Sequence, residues 1–159
     1  MIQMKEKHQS RSLPQLDELY KEIILEHYRK PCGREPLDKV DFCAEGMNPL
    51  CGDEVKLSLQ LKDNKISKVH IEGHGCSISV ASGSILADML KGKTIDEAKN
   101  ISNCLKNIMH DKETDSKIDL GDLEALEGVK KFPVRIKCAL LPWTTFEEAL
   151  IGHEHVEIS

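Results

Sequence analysis

Between residues 16 and 28 the apolar side chains fall at Leu16, Leu19, Ile23, Ile24 and Tyr28. That is helical spacing, with one apolar stripe on a charged segment, and Pro31 ends it. Cys32-Gly33-Arg34 then reads as a turn. From residue 55 the period changes. Val55, Leu57, Leu59 and Leu61 alternate with Lys56, Ser58, Gln60 and Lys62, which predicts a half-buried strand. Asp63-Asn64-Lys65 predicts a turn. Ile66, Val69 and Ile71 mark a second strand whose alternation is imperfect, and the pair reads as an antiparallel hairpin. Residues 40–46 are expected to add a third strand. After Gly73 and Gly75 the period returns to helical, with Ile78, Ala81, Ile85, Leu86 and Met89 on one face and Gly92 as the stop. Thr94 and Glu97 stand at capping-box spacing and predict a helix from there to about His110. Leu123, Leu126 and Val129 predict a short helical piece. Pro133 suits a first helical turn, Ile136, Leu140 and Leu141 continue that helix, and Pro142 is expected to break or kink it.

These elements predict an α+β fold: a small antiparallel sheet of about three strands, helices packed on one face, and a site at one end. Residues 1–14 are polar, close with Pro14 and read as a flexible leader. Residues 15–159 read as a single domain. A chain of 159 residues can bury a real core without disulfide staples. No apolar run approaches the roughly 18 residues needed to span a bilayer, and MIQMKEKHQSRS lacks the apolar region of a secretory signal. The formal charge of −5 and the 4% aromatic content argue against phosphate-backbone binding, so neither nucleic acid nor membrane is an expected partner. A soluble, cytoplasmic protein is the expectation. Six cysteines are then the unusual feature. In a reducing compartment they point to metal binding or sulfur chemistry before disulfides.

Three of them sit where structure changes. Cys51 opens Cys51-Gly52-Asp53 just before a strand, Cys76 follows Gly73-His74-Gly75 at a predicted helix start, and Cys138 lies on the last helix. A helix N-terminus favours the Cys76 thiolate. Arg135, three residues before Cys138, and Lys137 beside it could each stabilise an anionic sulfur. Gly52 permits a turn that lets Cys51 and Asp53 point at one centre. Three thiolates and a carboxylate suit tetrahedral Zn²⁺, and thiolates also hold iron–sulfur clusters. An Asp ligand is displaced from a soft metal more readily than a fourth Cys, so such a set suits a site that opens. Spacing alone leaves this reading level with three structural buried thiols. His74 is either a further donor or a solvated loop histidine. Cys104 and Cys43 are expected in the core, Cys32 at the surface, and Trp143 and Phe146 packed under the last helix. His153 and His155 could bind metal adventitiously. Asp119, Asp122, Glu124 and Glu127 form a solvated acidic face.

Local strings go further. Asn-Pro-x-Cys-Gly-Asp (48–53), Gly-His-Gly-Cys-Ser-Ile-Ser (73–79) and Phe-Pro-Val-Arg-Ile-Lys-Cys-Ala (132–139) resemble the U-type iron–sulfur assembly proteins, the IscU/NifU/SufU superfamily. The early Tyr-x-x-Ile-Ile-x-x-His-Tyr (20–28) is similar too. The resemblance spans about residues 16–151. Lys137 stands where IscU proteins carry a His, and residues 109–128 look like the insertion of the SufU branch, so the resemblance is to that branch. It implies a zinc-dependent sulfurtransferase that accepts persulfide sulfur from a PLP-dependent cysteine desulfurase (SufS-type) and supplies downstream iron–sulfur scaffold machinery. By position it implies Cys51, Asp53, Cys76 and Cys138 as zinc ligands and Cys51 as the sulfur acceptor, freed when a partner side chain replaces it on the metal. Arg135 matches the motif's arginine and is a candidate thiolate stabiliser. Carbon–sulfur cleavage belongs to the desulfurase. Two alternatives stand beside this reading: a scaffold for a transient [2Fe–2S] cluster, and a zinc-stabilised interaction module without sulfur chemistry. Lys30-Pro31-Cys32-Gly33-Arg34 departs from the family's Asn- and Arg-rich turn, which leaves the desulfurase-docking surface and the role of Cys32 open.

Overall fold

The computed structural model describes residues 18–114 and 117–158; the expected leader 1–14 lies outside them. Residues 18–29 are helical (α1). Then come β1 (Phe42–Asn48), β2 (Asp53–Lys62), β3 (Lys65–His74), α2 (Ser77–Leu90), α3 (Ile95–Met109), a 3-10 helix (Gly121–Lys131), α4 (Pro133–Leu150) and β4 (His155–Glu157). The strand order is β3-β2-β1-β4. The α+β expectation holds, with one addition. The first three strands pair antiparallel, and β4 joins β1 in parallel. Three residues rich in His and Glu carry no strand period, so β4 was not legible in the sequence. Main-chain bonds set it, Glu45 N–H to the Glu154 carbonyl at 2.6 Å and Ile158 N–H to that of Met47 at 2.9 Å.

Local chemistry explains the hairpin. Asp63 and Asn64 both take positive φ, 54° and 64°, the two-residue turn whose twist matches antiparallel strands. Leu61 pairs with Ile66 but Gln60 with Lys68, so Ser67 is an extra residue on β3. Its hydroxyl donates to the Gln60 carbonyl at 3.0 Å. This bulge is why Ile66 and Val69, three apart, both face the core, and why the alternation looked imperfect. The capping box is present: Thr94 Oγ1 accepts from Glu97 N–H (3.1 Å) and Glu97 Oε1 from Thr94 N–H (3.0 Å).

The helices cover one sheet face. Leu57, Leu59, Ile71, Ile85, Leu86, Leu141, Trp143 and Phe146 belong to a single buried cluster. Within it Trp143 Nε1–H donates to Ser82 Oγ, and Ser82 donates to the Ala139 carbonyl at 2.6 Å, which ties α2 to α4 without an unpaired indole. His27 bridges three elements, with Nδ1 2.7 Å from Ser84 Oγ and Nε2 2.8 Å from Asp122 Oδ2. Asp122 therefore does not belong wholly to the solvated acidic face.

Two expectations are corrected. Pro142 does not break α4, which runs unbroken to Leu150. The ring lies against Gly83 of α2, and fully buried Leu141 and Trp143 flank it, so packing outweighs the lost backbone bond. Cys43 is exposed, because strict alternation along β1 turns Ala44 and Gly46 inward and Cys43 outward. Cys104 is buried as expected, while Cys32 is half-buried and packs against the core.

Gly46 sets how closely α4 approaches the sheet: a Cβ there would lie 2.0 Å from Thr145 Oγ1. Gly46→Ala should therefore destabilise by about 1–3 kcal/mol. Thr145→Ala added to it should recover part of the loss, as read by urea denaturation.

Candidate metal centre

The hairpin between β1 and β2 carries the first part of the site. Asn48 and Asp53 face each other as the last pair, and residues 49–52 form the loop. The Asn48 carbonyl accepts N–H bonds from Cys51 (3.3 Å) and Gly52 (2.9 Å), and Gly52 takes φ 70°. This tight turn leaves Cys51 half-buried at the tip and Leu50 74% exposed beside it.

Asp53 begins β2 and is fully buried, at 0% exposure. Its Oδ1 accepts the Cys76 N–H at 2.7 Å, so a carboxylate from the sheet meets the positive N-terminal end of α2. Gly75 makes that contact possible. It adopts φ +123°, and a Cβ there would stand 2.3 Å from Asp53 Oδ1. Asp53 Oδ2 is buried with no hydrogen-bond partner among the described residues. A carboxylate oxygen withdrawn from water and left unpaired is costly, and a cation removes that cost.

Cys138, on the second turn of α4, is also fully buried. Donor atoms of Cys51, Asp53 and Cys138 lie within 4.8 Å of one another and could hold a metal ion. This is the one such group of three or more His, Cys, Asp or Glu among the described residues. Cys76 stands at its margin. It is outside that set, yet its main chain holds Asp53 and its sulfur interacts with Cys138. Burial, reinforced by hydrogen bonding to Asp53 and Cys51 and by the negative charge of Cys76, pushes the Cys138 thiol far above its ordinary range. Arg135 answers that charge. Its guanidinium bonds Cys138 and faces the charges of Cys76 and Cys51, which hold its proton more tightly than usual. His74 is exposed and pairs with Glu54 at 2.9 Å, which fits the solvated reading.

Sequence reasoning passed over Asn48, which is 1% exposed, with Nδ2 3.8 Å from Cys138 Sγ. Its place inside Asn-Pro-x-Cys-Gly-Asp was the available signal. The His27–Asp122 contact spans 95 residues and left none. Beside the site a groove of about 480 Å³ runs between α1, the start of α2 and the 3-10 helix, with Ile24, Ile78 and Val129 as apolar lining and Lys21 and Arg135 among its cations.

A family model, the NifU-like N-terminal domain, matches residues 19–139, a stretch that contains Cys51, Asp53, Cys76 and Cys138. The chain belongs to this family. Among NifU-like relatives, the zinc-dependent sulfurtransferase SufU of Bacillus subtilis is 42% identical over 139 residues, 87% of this chain and 94% of its own. The iron–sulfur cluster assembly scaffold protein IscU of Streptococcus pyogenes is 34% identical over 139 residues, 87% of each chain. The crystal structure of FiSufU, the SUF-system scaffold candidate of Fervidobacterium islandicum AW-1, superposes with a TM-score of 0.76 at 38% identity, covering 81% of this chain and 94% of that one. This NifU-like protein is thus of an iron–sulfur cluster assembly family whose members include sulfur acceptors and scaffolds. No described helix is long and apolar enough to cross a membrane.

Two outcomes are expected. Gly75→Ala should displace Asp53 and weaken metal binding at this centre about 10–100-fold while the far-ultraviolet circular dichroism stays unchanged, as read by competition with a chromophoric chelator. In metal-free protein the folded state holds the Cys138 proton more tightly than the unfolded chain does. That contribution to stability is complete below the ordinary thiol range, near pH 8.5, and is lost as pH rises toward the folded value. The urea midpoint of metal-free protein should therefore fall above about pH 8.5, and by less in Cys138→Ala.

Proposed function

We propose that this chain accepts sulfur on Cys51 from a PLP-dependent cysteine desulfurase, keeps zinc at Cys51, Asp53, Cys76 and Cys138, and passes the sulfur to iron–sulfur scaffold machinery. One observation carries the reading. Cys51 is reachable on a loop tip, whereas the Asp53 and Cys138 donors beside it are fully buried. The orphaned Asp53 oxygen and the sulfur-rich donor set suit Zn²⁺, and a relative 42% identical is named a zinc-dependent sulfurtransferase. Zinc, when bound, keeps thiols ionised at neutral pH.

The transfer needs no oxidant or reductant beyond the donor. The Cys51 thiolate attacks the outer sulfur of a donor persulfide, R–S–SH, along its S–S axis. The Cys51 S–S bond forms as the donor's S–S bond breaks, and the donor sulfur leaves as R–S⁻ with the bonding pair. The persulfide proton stays on the transferred sulfur. Arg135 supplies positive charge beside the reacting thiols, which steadies the anion before attack. Exposed Leu50, Phe132 and Val134 give the neighbourhood an apolar surface on which a partner can dock.

Native mass spectrometry after anaerobic incubation with a cysteine desulfurase, cysteine, zinc and ferrous iron tests the reading. One zinc with one extra sulfur atom, absent in Cys51→Ala, is the expected result. Two irons with inorganic sulfide would favour the [2Fe–2S] scaffold reading, which the Streptococcus pyogenes relative's name supports. Zinc without sulfur would leave an interaction module. Asp53→Ala should still retain zinc, though held more weakly, and change the rate of sulfur exchange; an unchanged rate would count against a gating carboxylate.

A further inference from the structure

Asn48 touches both ends of the thiol set. It ends β1 and is 1% exposed. Its main-chain carbonyl accepts the N–H of Cys51 and of Gly52, at 3.3 and 2.9 Å. Its side-chain Nδ2 donates to Cys138 Sγ across 3.8 Å, and its Oδ1 is buried with no hydrogen-bond partner among the described residues. A buried amide with one unpaired end is a poor choice for stability, since an apolar side chain of the same size would leave nothing unsatisfied. Its remaining polar work is on sulfur.

An N–H donated to a thiolate draws charge from the sulfur and makes it a weaker nucleophile and a weaker metal donor. Toward Cys51, Asn48 offers its carbonyl, which takes the main-chain N–H, so the loop is held without an amide donated to that sulfur. We propose that Asn48 is a positioning residue that decides which thiolate of the site takes sulfur: its amide quiets Cys138, and its carbonyl presents Cys51. This rests on the sulfur-acceptor reading above. Burial already keeps Cys138 from reagents in the closed site. The amide would extend that protection to the moment of transfer, when a docked donor brings its persulfide into the site.

Cobalt(II) loading reads the bond without reference to transfer. In Asn48→Leu, which keeps the volume and removes the donor, the sulfur-to-cobalt charge-transfer bands should move to longer wavelength. Cobalt stoichiometry and the tetrahedral d–d bands should be unchanged. Asn48→Ala serves as the second variant if Asn48→Leu does not fold. Transfer is read in a Cys51→Ser background with a cysteine desulfurase and cysteine, so that a docked donor presents the persulfide, followed by peptide mapping. With Asn48 in place Cys138 should carry no sulfur, and with Asn48→Leu or Asn48→Ala it should. If Cys51 of the unsubstituted protein takes no sulfur from glutathione persulfide or from a desulfurase, the sulfur-acceptor reading fails and this role fails with it. If Cys51 does take sulfur, while the bands stay unshifted and Cys138 stays unmodified in the Asn48 variants, the role of Asn48 alone is overturned.

Discussion

A fully buried carboxylate joins the sheet to the helical layer. Asp53 is the first residue of β2, and its Oδ1 takes the N–H of Cys76 at the start of α2. Everything around the site follows from satisfying that charge. The helix N-terminus supplies one favourable field, and Gly75 is required because any side chain there would occupy the carboxylate's place. The second oxygen, Oδ2, is left without a donor among the described residues. The carboxylate also lies within 4.8 Å of the sulfurs of Cys51 and Cys138. One carboxylate thus holds the start of α2 and lies within reach of a metal ion.

The arrangement costs stability that the rest of the fold supplies. A buried carboxylate and a buried thiol crowd one end of the domain, and the Cys138 thiol resists ionisation there because of burial, hydrogen bonds to Asp53 and Cys51, and the charge of Cys76. Away from that end the interior is ordinary: a contiguous apolar cluster under the helices, a bulge that seats Ile66 and Val69, and an indole whose N–H is paired. Arg135 stands between the two regimes. It is exposed, yet its charge faces three thiols, so it lowers the repulsion without being buried itself. An exposed cation pays little desolvation, which is why the counter-charge sits at the rim and not among the donors.

What could be read from the chain divides along physical lines. Periods of two and 3.6 marked β2, β3, α2 and α3, and Thr94 with Glu97 marked a cap that the structure contains. Short strings around Cys51, Cys76 and Cys138 pointed to one centre, and the fold brings them to one end of the sheet. The failures share a cause, which is tertiary contact. Pro142 carries a strong local signal to stop a helix, but with Gly83 opposite it and buried residues on either side α4 runs on to Leu150. Cys43 was assigned by residue type, whereas its place in the alternation of β1 decides its exposure. No local period encodes β4, which exists because the chain returns beside β1 after α4. The margin position of Cys76 was equally invisible, because its main chain, and not its sulfur, makes the shortest contact with Asp53.

The placement of Cys51 shows how one end of a rigid domain can hold a reachable thiol. Its loop spans the four residues between a paired Asn48 and a paired Asp53, so both stems are fixed by strand pairing. Within the loop, two N–H bonds converge on the Asn48 carbonyl. Moving Cys51 outward therefore breaks a local turn and not the ladder, and Asp53 stays where Cys76 and Gly75 hold it. A thiol in the middle of β2 would lack this property, because its displacement would disturb the ladder that begins at Asp53. Loops on rigid scaffolds carry reactive groups for this reason. Here the reason is local enough to name: the hinge is the Asn48 carbonyl, and the anchor is the Asp53 carboxylate.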